Sequence, residues 1–124
     1  MTSQYSSSRH FTVWQYTIAH HSRILLRSPR RTLSDVRIDL HIGSVSAMLV
    51  RPSYDGLVIR GCVESEMELI ASIVGPQVFA RGERVHVIGE DRMTGFILGG
   101  PLEHQEACMA DDEPSGFLRM PATK

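Results

Sequence analysis

The residues of this chain able to do chemistry are six histidines, at 10, 20, 21, 41, 86 and 104, and two cysteines, Cys62 and Cys108. A zinc centre needs three or four such side chains converging in tetrahedral geometry, and neither HExxH nor CxxC spacing is present to bring two together. No metal ligand is therefore assigned. The closest gathering of functional types is Arg37, Asp39 and His41, which alternate along Val36-Arg37-Ile38-Asp39-Leu40-His41-Ile42 and share one face of a strand. His86, from a later strand, could face them together with Arg84. These four, Arg37, Asp39, His41 and His86, are the candidate ligand-binding residues. The competing expectation is a solvated sheet face carrying ordinary cross-strand pairs.

No catalytic residue is assigned. Cys62, between Gly61 and Val63, reads as a small apolar-like residue rather than a nucleophile with an adjacent base. Ser46 and Ser53 lie in no nucleophile elbow. Gly95, Gly99 and Gly100 are followed by no Lys-Ser/Thr pair, so no phosphate loop and no nucleotide cofactor is implied. His20 and His21 fall at the tip of an expected hairpin and read as surface turn residues.

The elements that must position these residues are mostly short strands. Phe11 to Ile18 is dense in aromatic and β-branched types, and Arg23 to Arg27 is a short apolar run that would pair back on it. Val36 to Ile42 alternates so that Val36, Ile38, Leu40 and Ile42 share a face, which predicts a strand with its other face wet. Val45 to Val50 is a further apolar run ended by Pro52, Asp55-Gly56 reads as a turn, and Leu57 to Arg60 restarts a strand. Val63, Met67, Ile70 and Val74 then recur at helical spacing, with acidic residues in the first turns and Gly75-Pro76 as the stop. Residues 84–88 and 94–98 predict a second hairpin. Beyond Leu102 the chain reads as an acidic loop, with a short strand near Ala107 to Met109.

The expected fold is α+β and β-dominant: about seven mainly antiparallel strands in a barrel-like roll or sandwich, with one helix covering an end or a face. The 124 residues predict a single domain, with residues 1–9 and 118–124 mobile. Trp14, Tyr16, Ile38, Leu40, Leu49, Leu57, Ile59, Met67, Ile70, Val87 and Ile97 are the expected core. The aromatic opening strand, Leu25-Leu26-Arg27, Arg37-Ile38-Asp39-Leu40, Tyr54-Asp55-Gly56-Leu57 and Thr94-Gly95-Phe96-Ile97 resemble stretches of small bacterial β-rich proteins with no assigned function. That resemblance spans roughly residues 11 to 100 and implies a fold without carrying over any catalytic residue.

Charge bounds the partners. Thirteen Lys plus Arg against fourteen Asp plus Glu give a net charge of −1, which argues against nucleic acid, and no window is long and apolar enough for a membrane span. The sign is unevenly distributed: residues 1–62 carry eight Arg against three Asp, residues 63–124 five basic against eleven acidic. Such halves could attract one another within the fold or between subunits. Arg27, Arg30 and Arg31 around Pro29 could form a basic loop.

Twelve of the thirteen basic residues are Arg and Asn is absent, a bias expected of a GC-rich bacterial genome. The polar N-terminus is not a secretory signal, so a cytoplasmic location with two unpaired thiols is expected. The functional expectation is a non-enzymatic protein-interaction or self-associating module, with a homodimer or another protein covering the apolar outward faces of residues 47–50 and 96–98. The alternative is a small-molecule-binding or enzymatic barrel with a polar pocket around Asp39, His41 and His86.

Overall fold

A computed structural model describes residues 3–17, 22–80, 82–111, 113 and 115. The expected first hairpin tip at His20 and His21 and the tail 118–124 lie outside the described residues. Eight strands form one sheet: β1 (Ser3–Thr17), β2 (Arg23–Ser28), β3 (Arg37–Ile42), β4 (Ala47–Leu49), β5 (Ser53–Arg60), β6 (Arg84–Ile88), β7 (Gly95–Gly99) and β8 (Leu102–Ala107). One helix, α1 (Glu64–Val74), and a 3-10 turn over Pro76–Phe79 fall between β5 and β6. Strand order is β4-β7-β6-β5-β1-β2-β3-β8, and every adjacent pair is antiparallel. The protein is thus α+β with β dominant, as its alternating runs imply.

The connection from β7 to β8 dictates the curvature. The two strands sit six positions apart in the order, about 29 Å across a flat sheet at about 4.8 Å per strand. Yet only Gly100 and Pro101 separate Gly99 from Leu102, a reach of about 11 Å. The sheet must therefore roll until its ends meet. At the seam the Gly100 amide donates to the Gly43 carbonyl at 2.8 Å and the Val45 amide to the Ser22 carbonyl at 2.9 Å. No ladder joins β4 to β8, so the roll stays open along its edges.

Inside the roll, Phe11, Ile24, Leu26, Ile38, Leu40, Ile42, Leu57, Ile59, Ile88 and Ile97 form the main core. A second cluster lies on the outer face, where Ile70 of α1 packs on Phe96 and Leu98 with Ala47, Val74, Val78, Phe79 and Val85 around them. The chain itself therefore covers the outward side of Phe96 and Leu98, the side for which a homodimer was expected. The helix starts without a side-chain cap, but Glu66 Oε1 accepts the Val63 amide at 3.0 Å and the same carboxylate grips Arg60 at 2.7 and 2.8 Å.

Several sequence expectations are corrected. The first strand begins at Ser3, and the segment before Phe11 pairs with β5 from Ser3↔Arg60 to Ser7↔Leu57. Asp55-Gly56 is no turn: it lies within β5, opposite a register shift between Ser7 and His10. The acidic stretch after Leu102 is the edge strand β8, its charged side chains facing water and its backbone laddered to β3. Met109, expected at the end of a last strand, lies past it. Of the expected core, Trp14, Tyr16, Leu49 and Met67 are exposed, because Trp14 sits at a third register shift of β1, Leu49 on an edge strand and Met67 on a flank of α1.

Candidate functional site

Strand β3 is buried on both faces, so the expectation of one wet face fails. Ile38, Leu40 and Ile42 point into the roll, and Arg37, Asp39 and His41 point outward into a covered polar layer. Register places Arg27 of β2 directly beside Asp39. Arg27 Nε donates to Asp39 Oδ1 at 2.8 Å and its NH2 to Oδ2 at 3.4 Å, while Arg37 NH2 donates to Oδ2 at 3.0 Å. All three residues are 1% exposed. One carboxylate thus bridges two guanidinium groups, leaving an excess positive charge in a layer shielded from water, where interactions are stronger than at the surface.

That excess is met by a segment distant in sequence. Arg27 NH1 donates to the Asp111 carbonyl at 2.6 Å, and Arg37 NH1 donates to the carbonyls of Glu113, at 2.7 Å, and Ala110. Arg37 NH2 also reaches the Met109 sulfur at 3.4 Å. The Trp14 ring lies over the Arg27 guanidinium, 4.8 Å from its centroid, in cation–π geometry. One register step along β3, His41 Nδ1 lies 3.0 Å from Glu103 Oε1 of β8.

Arg27 is the member that sequence reading missed. The sequence places it at the end of the second strand and also offers it, with Arg30 and Arg31, to a basic loop; in the structure it is buried in β2 beside Asp39 and under Trp14. The readable signal is a single Arg ending an apolar run one connection before the alternating strand that carries Asp39. Of the other two, Arg31 pairs with Asp35 at 2.8 Å and holds its carboxyl well below the usual carboxylate range. Arg9 tacks the loop after β2 to the sheet through Ser28 Oγ at 3.0 Å, the Pro29 carbonyl at 2.7 Å and the Val36 carbonyl at 2.9 Å.

His86 is not part of this layer. It lies opposite Ile97 and shares the inner face with Ile88, so it points into the roll, away from the face that carries Asp39. Its Nε2 lies 2.7 Å from the Gly100 carbonyl, to which it donates, and its Nδ1 3.1 Å from the Gln4 amide. Burial pushes its pKa down, only partly offset by the Gly100 contact, so the neutral ring is the native form. Arg84, on the same strand, is exposed at its start. The structure therefore brings Arg37, Asp39 and His41 together and leaves His86 on the opposite face of the sheet.

A cavity of about 620 Å³ lies elsewhere, at a β1–β5 register shift, lined by Ser6–Ser8, Arg51, Ser53, Asp55, Glu90 and Thr94. Among the described residues no three His, Cys, Asp or Glu side chains gather as a metal site. Both cysteines are unpaired, and burial pushes the Cys62 thiol up, against the nucleophilic thiolate. The buried layer suits recognition of oxygen acceptors by fixed guanidinium forks rather than proton transfer. No helix among the described residues is long and apolar enough to cross a membrane. Comparison with known proteins finds no matching family model, no matching curated protein and no matching solved structure.

Proposed function

We propose that this chain is a non-enzymatic protein-binding module of a bacterial cytoplasm that associates with a second copy of itself through α1 and the neighbouring β4 edge. The observation that carries this reading is how little of α1 the chain covers. Ile70 is its one buried residue, while Val63, at its N-cap, Met67, Leu69 and Ile73 are exposed at 39, 39, 50 and 53%. Leu69 and Ile73 form one flank of the stripe centred on Ile70, Val63 and Met67 the other. An eleven-residue helix is marginal in water without tertiary support, and apolar flanks of this kind mark contact surfaces.

A second copy suits the surface on charge. The helix carries Glu64 and Glu68 in the open and no basic residue in its last turn, whereas Arg51 is exposed two residues beyond the exposed Leu49 of β4. Acidic α1 of one protomer against the basic first half of another satisfies both. Sedimentation equilibrium at tens of micromolar is expected to give twice 13.9 kDa for the native chain. The Leu69→Glu, Ile73→Glu double variant is expected to be a folded monomer whose melting temperature no longer rises with protein concentration. A native chain that is strictly monomeric refutes this reading.

A second reading, a small-molecule binder, draws support from the hydroxyl-lined cavity beside Arg51. Native mass spectrometry of protein taken gently from its source cell separates the two: an added metabolite mass lost on Arg51→Ala favours the cavity, a bare dimer favours association.

A further inference from the structure

Residues 109–111 and 113 are held on the sheet as a bound peptide would be. The ladder between β3 and β8 ends at Arg37↔Ala107, and past it the described main-chain bonds of the segment are its own: the Met109 amide to the Ala107 carbonyl, and the Glu113 amide to the Ala110 carbonyl. What fixes it to β2 and β3 is a set of body donors. The two guanidinium NH1 groups take the carbonyls of Ala110, Asp111 and Glu113, and the Arg30 amide donates to Asp111 Oδ1 at 2.9 Å. The segment is a turn presenting its oxygens to a preformed, rigid pair of forks.

The fit is incomplete in charge and in hydrogen bonding. Among the described residues two buried cations face one buried carboxylate, and the segment offers the guanidinium groups carbonyl dipoles and the Met109 sulfur. Its described carboxylates are engaged elsewhere: Asp111 on the Arg30 amide, Glu113 Oε1 on the Ala110 amide at 3.1 Å. The Nε of Arg37, 1% exposed, has no hydrogen-bond partner among the described residues. A buried charged donor left unmatched is a standing preference for an acceptor with more negative charge than a peptide carbonyl. Trp14 over Arg27, its ring half-exposed, adds a flat apolar wall beside the forks.

We propose that the outer face of β2 and β3, centred on Arg27 and Arg37, is a binding site for an acidic turn segment of a partner protein, which Met109, Ala110, Asp111 and Glu113 occupy in cis. The partner segment would set a carboxylate against the forks where the chain's own turn sets carbonyls, and would displace that turn. This site lies over β2 and β3, whereas α1 packs on β4, β6 and β7, and it does not depend on self-association. Because the resident turn is tethered, it competes at an effective concentration in the millimolar range, and loosening it raises the apparent affinity for any segment in trans.

The test uses the full-length chain and a fluorescein-labelled acetylated peptide of the sequence of residues 107–116, with polarisation as the readout. Asp111→Ala removes the carboxylate that anchors the turn to Arg30, and this chain is expected to bind the peptide about tenfold more tightly than the native one. Adding Arg37→Met is expected to weaken that binding at least tenfold. Arg27→Met, which likewise leaves one cation per carboxylate, is the parallel variant should Arg37→Met melt below the assay temperature. A peptide of the same length with its acidic residues replaced by Ser is expected to bind more weakly. Equal binding by the native and Asp111→Ala chains, binding that survives loss of either arginine, or binding indifferent to the peptide's charge overturns the proposal.

Discussion

Asp39→Asn is the sharpest perturbation the structure offers. The substitution keeps the shape of the side chain and removes the single negative charge between two guanidinium groups that are 1% exposed. Contacts at 2.8, 3.0 and 3.4 Å lose their ionic character, and Arg27 and Arg37 are left facing each other in a dry layer without a counter-charge. Breaking a buried pair by removing one partner costs about 3–5 kcal/mol, because the remaining charge stays desolvated. Taking about 4 kcal/mol, and an unfolding entropy of about 2.1 cal/mol/K per residue, the melting temperature falls by about 15 °C. Urea unfolding followed by the fluorescence of Trp14, the only tryptophan, reads the same loss as a lower midpoint at constant slope. Arg27→Met tests the charge balance itself: it leaves Arg37 and Asp39 as a matched pair and is expected to cost about half as much. A loss under about 1 kcal/mol for Asp39→Asn, or a larger loss for Arg27→Met than for Asp39→Asn, would refute the reasoning.

Two further outcomes are expected. His86 is neutral in the folded protein with its pKa pushed below the ordinary 6.5, so the unfolded chain takes up a proton first as pH falls. Its contribution is intact above 6.5 and lost progressively below it, down through the lowered value, and His86→Gln should flatten the fall in melting temperature between pH 7.5 and 5. At the seam, a Cβ on Gly99 would lie 2.8 Å from the Gly43 carbonyl and 3.0 Å from Ile42 Cγ2, so Gly99→Ala is expected to cost about 1–3 kcal/mol, read by thermal unfolding. An unchanged midpoint would show that the seam yields.

The sequence made legible whatever rests on local periodicity. The alternation of Val36 to Ile42 identified β3, its inward residues and the polar trio on its other face, and the spacing of Met67, Ile70 and Val74 identified α1. What it could not convey is what lies over a polar face. Alternation looks the same whether Arg37 and Asp39 meet water or a partner more than 70 residues away, and the segment that covers them has no apolar pattern of its own. Strand β8, Leu-Glu-His-Gln-Glu-Ala, is equally opaque: as an edge strand it is held by backbone bonds to β3 and keeps charged side chains that local reading assigns to loop. The serine-rich start of β1 is invisible for the same reason, its place in the sheet being set by β5.

The two-residue link through Gly100 and Pro101 also fixes an order of events. Strand β1 is made first and lies at the centre of the sheet, where β2 and then β3 can add by short connections as the chain is synthesised, and β5 can add to its other side. Strand β8 is made last of the eight, and its place beside β3 lies some sixty residues back along the chain. Until it arrives, the outer edge of β3 is an unpaired template and Arg37 and Asp39 lack their cover. The nascent roll is therefore most exposed to pairing with a neighbouring chain in the interval between the emergence of β3 and the docking of β8. The rate of that final docking, a contact of long sequence separation, sets how long the interval lasts.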